Sequence, residues 1–205
     1  MLNGNQWIKR LFYNNGRMEF DEKEKKFLLD VARKSIEHYF KTGEVLDIEA
    51  NQIPSKRMIG DGASFVTFYI DKVVRGCMGS LEPKRPLCFD VRQNALKAAF
   101  SDQKFKELKP EELKKIKITI SILTNLEKLK VKNWQDALKK IVPKKHGVII
   151  RNLLHVATYL PDVWNELPDK NDFLSELSER AGIGRDGWKD KNTEFFVYEA
   201  FEFSE

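Results

Sequence analysis

Between Ile116 and Ile122, four isoleucines alternate with Lys117, Thr119 and Ser121. A period of two sends the isoleucines to one face and the polar residues to the other, so the spacing predicts a strand buried on one side. Such a strand needs neighbours for its backbone and a layer to cover its apolar face. The rest of the chain offers both. Ser64-Phe65-Val66-Thr67-Phe68-Tyr69-Ile70 turns at Asp71-Lys72 into Val73-Val74-Arg75-Gly76-Cys77-Met78-Gly79, which reads as a β-hairpin. Residues 147–150 and 155–160 read as a second hairpin, ended by Pro161. Over residues 21–41, Phe27, Leu28, Val31, Ala32, Ile36, Tyr39 and Phe40 recur at three and four, predicting an amphipathic helix that stops at Gly43. Pro86 suits a first helical position, and Leu87, Val91, Ala95 and Ala98 form one stripe of a helix ending near Phe100. Asn133 caps a short helix through Lys140, residues 171–181 form another stopped by Gly182, and residues 193–203 form one long final strand. Helices and hairpins mixed in this order predict an α+β fold, mainly antiparallel sheet with flanking helices.

A chain of 205 residues with 41% apolar and 33% charged side chains is expected to be globular rather than disordered. Residues 1–18 read as a flexible leader, and 19–205 as one domain of two packed lobes. No apolar stretch approaches the roughly 18 residues of a membrane span, and the start lacks the apolar core of a signal peptide. The expectation is a soluble cytoplasmic protein, in which two cysteines stay reduced and cannot form a disulfide framework. Charge is unevenly spread. Residues 101–145 hold thirteen lysines against six acids, whereas 161–205 hold five basic residues against twelve acids. A basic stretch can attract phosphates or anionic substrates, or simply form a solvated face against the acidic tail. With only Phe105 and Trp134 among those lysines, stacking platforms for nucleic acid are lacking, which argues against that partner.

Gly182-Ile183-Gly184-Arg185-Asp186-Gly187 matches the dinucleotide-binding glycine pattern by letter but follows a helix and precedes a strand, the reverse of what that site needs. It reads as a helix stop and a turn. No metal motif, Walker lysine or nucleophile elbow is present, and no cofactor is implied. The conspicuous segment is Arg75-Gly76-Cys77-Met78-Gly79-Ser80. Two residues apart on a strand, Arg75 and Cys77 would share a face, and a guanidinium beside a thiol favours the nucleophilic thiolate. Gly76 and Gly79 would leave the backbone bare for a ligand or another segment to approach. The plainer alternative is a small packed thiol with Arg75 bonded to a carboxylate. Of three histidines, His146 is the best candidate base; His38 lies on the first helix and His155 near a hairpin turn. Cys88, beside the stripe of Val91 and Ala95, reads as structural.

Taken together, Gly62-Ala63-Ser64-Phe65-Val66-Thr67, the Arg75 to Pro83 string, the helix from Asp90 to Phe100 with Asn94, and Thr158-Tyr159-Leu160-Pro161-Asp162-Val163-Trp164 resemble the AMMECR family. Its prokaryotic members are also called AmmeMemoRadiSam system protein A. The resemblance runs from about Asp21 to Phe203 in the family's order. It implies an α+β protein with two subdomains around a cleft, with the Arg-Gly-Cys segment as hallmark and functional site, and no settled reaction. It also implies a Memo-type protein and a radical SAM enzyme as partners. Met78 departs from the commoner isoleucine, and Asn152-Leu153-Leu154-His155 is apolar where the family is glycine-rich and basic. Two functions follow. One is a catalytic or small-ligand-processing protein with Cys77, Arg75 and His146 as its centre and Gly76, Met78, Gly79, Ser80 and Tyr159 against the ligand. The other is a non-catalytic binding or adaptor module that holds a small molecule or peptide for a partner enzyme, with Cys77 inert.

Overall fold

The computed structural model describes residues 13–14, 17–124 and 126–205. The expected leader falls largely outside these; within them, strand β1 (Tyr13–Asn14) pairs antiparallel with β2 (Arg17–Met18). The chain divides into two compact units, residues 1–123 with 201–205 and residues 124–200. Among the described residues the sheets are mainly antiparallel.

In the first unit, helix α1 (Glu22–Thr42) starts where Asp21 accepts from the Glu24 N–H while the Glu24 carboxylate accepts from the Asp21 N–H. This reciprocal cap satisfies two otherwise orphan donors. Gly43, at φ 74°, ends the helix in a conformation that glycine adopts without strain. After two 3₁₀ turns and a two-residue strand β3 (Asp61–Gly62) come β4 (Ser64–Ile70) and β5 (Val73–Gly79), joined through Asp71 and Lys72 at φ 50° and 68°. Positive φ at both central residues is what lets a two-residue turn follow the twist of its strands. The short β6 (Arg85–Pro86) pairs with β3 and leads into helix α2 (Leu87–Phe100). Pro86 is therefore the cap residue, one position earlier than its sequence suggests.

Strand β7 (Lys117–Leu123) differs more from expectation. Ile118, Ile120 and Ile122 are buried as predicted, but Thr119 and Ser121 are buried too. The strand lies inside the sheet, next to β4, and on its polar face the Ser121 hydroxyl donates to Glu202 while Lys117 stays exposed. α1 and α2 join the apolar face of this sheet in one core with Val66, Phe68, Ile118, Ile120 and Ile122.

The second unit contains β8 (Glu127–Lys128), α3 (Trp134–Lys140), β9 (Gly147–Asn152), β10 (His155–Tyr159), α4 (Lys170–Arg180) and β11 (Glu194–Tyr198). Its sheet has the order β10-β9-β11-β8. A separate core joins Val148, Ile150, Phe195 and Val197 to Phe173, Leu174 and Leu177 of α4. Trp164 stacks on Phe173 at 3.6 Å, and Trp134 meets Trp188 edge-on at 5.5 Å. The glycines of the 182–187 pattern act as a helix stop and a turn, with Gly182 and Gly184 at φ 75° and 74°. Lys128 and Lys145 of the basic stretch pair with Glu194 and Glu199 of the acidic tail.

The single long final strand is not found. The chain breaks at Glu199 into β11 and β12 (Ala200–Ser204), which belong to different sheets. Thr124 and Glu199 pinch the chain there: the Thr124 N–H donates to the Glu199 carbonyl, and the Glu199 N–H to the Thr124 hydroxyl. β12 becomes an edge of the first unit's sheet, order β12-β7-β4-β5.

Candidate functional site

The Arg-Gly-Cys segment lies on β5, the other edge of that sheet. Register is regular from Gly79 opposite Phe65 to Gly76 opposite Phe68, then slips, because Val74 already faces Tyr69. Arg75 is the additional residue of a β-bulge. A bulge breaks the two-residue alternation, so their spacing does not put Arg75 and Cys77 on one face.

The guanidinium is engaged at close range. Its Nε and Nη2 donate to the two Glu112 carboxylate oxygens at 2.7 and 2.9 Å, while Nη1 and Nη2 donate to the carbonyls of Lys106 and Glu107 at 2.9 and 3.2 Å. Four of the five N–H groups such a side chain carries are thereby used. The Arg75 hydrogen bond holds the Glu112 carboxyl below the usual carboxylate range, against a smaller opposing effect of burial. Arg75 is thus a clasp between β5 and residues 106–112, not a free cation for a substrate or a thiolate.

Cys77 is half-buried, and its backbone N–H, which points off the sheet edge, donates to the Asp102 carboxylate at 2.8 Å. Its Sγ accepts from the Thr67 hydroxyl at 3.2 Å. Thr67 in turn faces Thr119, so Cys77, Thr67 and Thr119 form a polar row across β5, β4 and β7. The two glycines are filled from within the unit. A Cβ at Gly76 would stand 2.5 Å from the Ala98 carbonyl oxygen of α2, and one at Gly79 would stand 2.3 Å from the Phe65 ring. Both positions are thus packed too closely for a side chain, and Met78 packs against the first core.

Ser80 leads to a buried polar cluster that the sequence pattern does not single out. The Asp90 carboxylate, 1% exposed, accepts from the Ser64 N–H at 2.9 Å, the Ser64 hydroxyl at 2.8 Å, the Ser80 hydroxyl at 2.5 Å and the Asn94 amide at 2.9 Å. Arg85 stands 3.6 Å away. A buried carboxylate is tolerable only with such partners, and here they tie β4, the end of β5 and α2 together. Asn94 appears in the sequence only as part of a resemblance; the fact that Asp90 reaches Ser64, twenty-six positions earlier, has no local signal.

His146 and Tyr159 belong to the second unit. The His146 Nδ1 accepts from the Val142 N–H at 3.2 Å, and its carbonyl accepts from the Trp164 indole at 2.7 Å. Burial, followed by the charge of Lys145, lowers its pKa. Tyr159 packs edge-on against Phe173 at 5.3 Å beneath Arg180. His155 is exposed beside its turn, with Nδ1 3.0 Å from the Ala181 carbonyl. Cys88 is fully buried, and burial pushes its thiol pKa up, as suits a structural cysteine. Among the described residues, no group of three His, Cys, Asp or Glu side chains is arranged to hold a metal, and no helix is long and apolar enough to cross a membrane. A cavity of about 520 Å³ between α1 and residues 46–52 shares no lining residue with the 75–80 segment.

Comparison with known proteins matches this arrangement to a family. The chain is 35% identical over 190 residues to protein MK0488 of Methanopyrus kandleri, covering 89% of this chain and 88% of that one. It is 37% identical over 179 residues to protein NEQ441 of Nanoarchaeum equitans, covering 87% and 98%. The crystal structure of protein PH0010 from Pyrococcus horikoshii superposes with a TM-score of 0.84 at 29% identity, covering 91% of this chain and 93% of that one. The AMMECR1 family model matches residues 29–203, and with that match spanning both cores and the Arg-Gly-Cys edge, the chain belongs to the AMMECR1 family.

Proposed function

We infer that this AMMECR1 protein is a binding or adaptor module in which Cys77 is structural, not a catalyst built on that cysteine. The observation that carries this reading is the clasp: Arg75 is neutralised by Glu112 and tethered to the Lys106 and Glu107 carbonyls. The charged group hydrogen-bonded to the Cys77 backbone is the Asp102 carboxylate, and a negative charge beside a thiol opposes the thiolate. The ligand it holds is a small molecule or peptide, presented to a partner enzyme. By family analogy those partners are a Memo-type protein and a radical SAM enzyme, and the surroundings are cytoplasmic.

Iodoacetamide alkylation of Cys77 between pH 6 and 9, with buried Cys88 as internal control, tests the reading. Slow alkylation below pH 8 is expected, and Cys77→Ser should still co-purify with the two partner proteins when expressed beside them. Rapid alkylation at pH 6, together with loss of in vivo function in Cys77→Ser, would return the catalytic reading to first place.

A further inference from the structure

The two four-stranded sheets have four edges, and three are managed. On β5 the outward Cys77 N–H is capped by Asp102, and the bulge at Arg75 ends regular pairing. β8 is only two residues long and both are charged, Glu127 and Lys128. β12 carries Glu202. Short length, charges and bulges are how natural sheets prevent edge-to-edge pairing.

β10 has none of these. Its pairing to β9 is unbroken from His155 opposite Asn152 to Tyr159 opposite Val148. Residues 153–160 contain no Lys, Arg, Asp, Glu or Pro. The directions of its backbone groups follow from the sheet. The Phe195 carbonyl accepts from Leu129 on the β8 side, so Glu194 and Phe196 bond toward β9 through Arg151 and Ile149. That leaves Val148, Ile150 and Asn152 to bond β10 through Tyr159, Ala157 and His155. The N–H and C=O groups of Val156 and Thr158 therefore point away from the sheet, and no described residue hydrogen-bonds them. The side chains beside them are apolar and outward: Leu153 is 79% exposed, Leu154 97% and Val156 50%. Leu153 also sits at φ 53°, a conformation bulky side chains avoid.

We propose that β10 is a self-association edge, through which two copies of this chain pair antiparallel about a two-fold axis at Ala157. The strand is self-complementary in that register. Val156 of each copy faces Thr158 of the other and exchanges both backbone hydrogen bonds, giving four across the junction. Leu154 faces Leu160 of the second copy, so the most exposed leucine is covered by an apolar side chain. No like charges meet, because the strand carries none. The same patch serves both copies, so the assembly closes at two and does not grow into a filament. A five-residue strand makes a small interface, and the dimer accordingly dissociates at roughly 1 to 100 μM.

Sedimentation velocity over a concentration series, with amide hydrogen exchange at each concentration, reads this directly. The full chain is expected to pass from monomer to dimer mass across that range, with the Val156 and Thr158 amides slowing in step. Val156→Lys should remain monomeric, whereas Val73→Lys, on the capped β5 edge, should dimerise like the unaltered chain. If Val156→Lys proves misfolded by circular dichroism, Leu154→Lys takes its place, since that side chain touches almost nothing. A monomer up to about 500 μM would overturn the proposal. So would a dimer that survives both variants, a dimer whose Val156 and Thr158 amides exchange as fast as in the monomer, or loss of the dimer in Val73→Lys as well.

Discussion

The Ala98 carbonyl oxygen leaves no room at Gly76 for even one methyl group. Because the obstacle is helix backbone rather than the end of a flexible side chain, relief would require α2 to move off β5. Gly76→Ala is therefore expected to destabilise the protein by about 1 to 3 kcal/mol, in the range of overpacked cores. Cys77→Ala, on the opposite face and half-exposed, should cost less. Urea unfolding of the two variants compares them, and a larger loss from the cysteine than from the glycine would contradict this account of the segment. The same position shows why the site was only partly legible. A glycine beside a cysteine on a strand signals close approach by something, and the residues alone do not say whether that is a ligand or the protein's own helix.

At the scale of elements, β5 is held as an edge by groups from one loop: Glu112 and the Lys106 and Glu107 carbonyls on Arg75, and Asp102 on Cys77. Glu112 is more acidic in the folded protein than in the unfolded chain, because Arg75 bonds its charged form. A carboxyl shifted down in this way stabilises the fold above its unfolded pKa, about 4.3, and that contribution is lost as pH falls below it. Thermal unfolding followed from pH 7 to 3 should show a shallower acid loss for Glu112→Gln than for the unaltered chain. Identical slopes would mean the clasp contributes nothing. Local pattern identified α1, the turn at Asp71-Lys72, the α3 cap and the second hairpin, because caps, turns and periodicity act over a few residues. It missed the bulge at Arg75 and its partner Glu112, thirty-seven positions away, and it ran β11 into β12 because the break depends on Thr124, seventy-five positions before Glu199.

At the scale of the whole molecule, each unit has its own core, and the chain returns to the first after building the second. Phe201 and Phe203 of β12 lie against Phe20 at 5.3 and 6.4 Å. Glu205 takes two hydrogen bonds from Arg33, whose remaining contacts are the Leu113 and Ile116 carbonyls. Removing residues 201–205 should cost the first unit at least about 2 kcal/mol, the scale of one buried aromatic side chain. Hydrogen exchange on the shortened chain should show faster exchange in β7 and β4, with β9 and β11 keeping their protection. Loss confined to β9 and β11 would assign β12 to the wrong core.

That return path also sets a timetable. Residues 124–200 are contiguous, so on a ribosome their core has all its parts as soon as Ala200 has emerged. The segment made first must wait longest: its sheet stays one strand short, with the β7 flank open, until translation has passed residue 204. Completion thus runs against the order of synthesis, the later-made portion having all its strands about a second or less before the earlier one at roughly 5 to 20 residues per second.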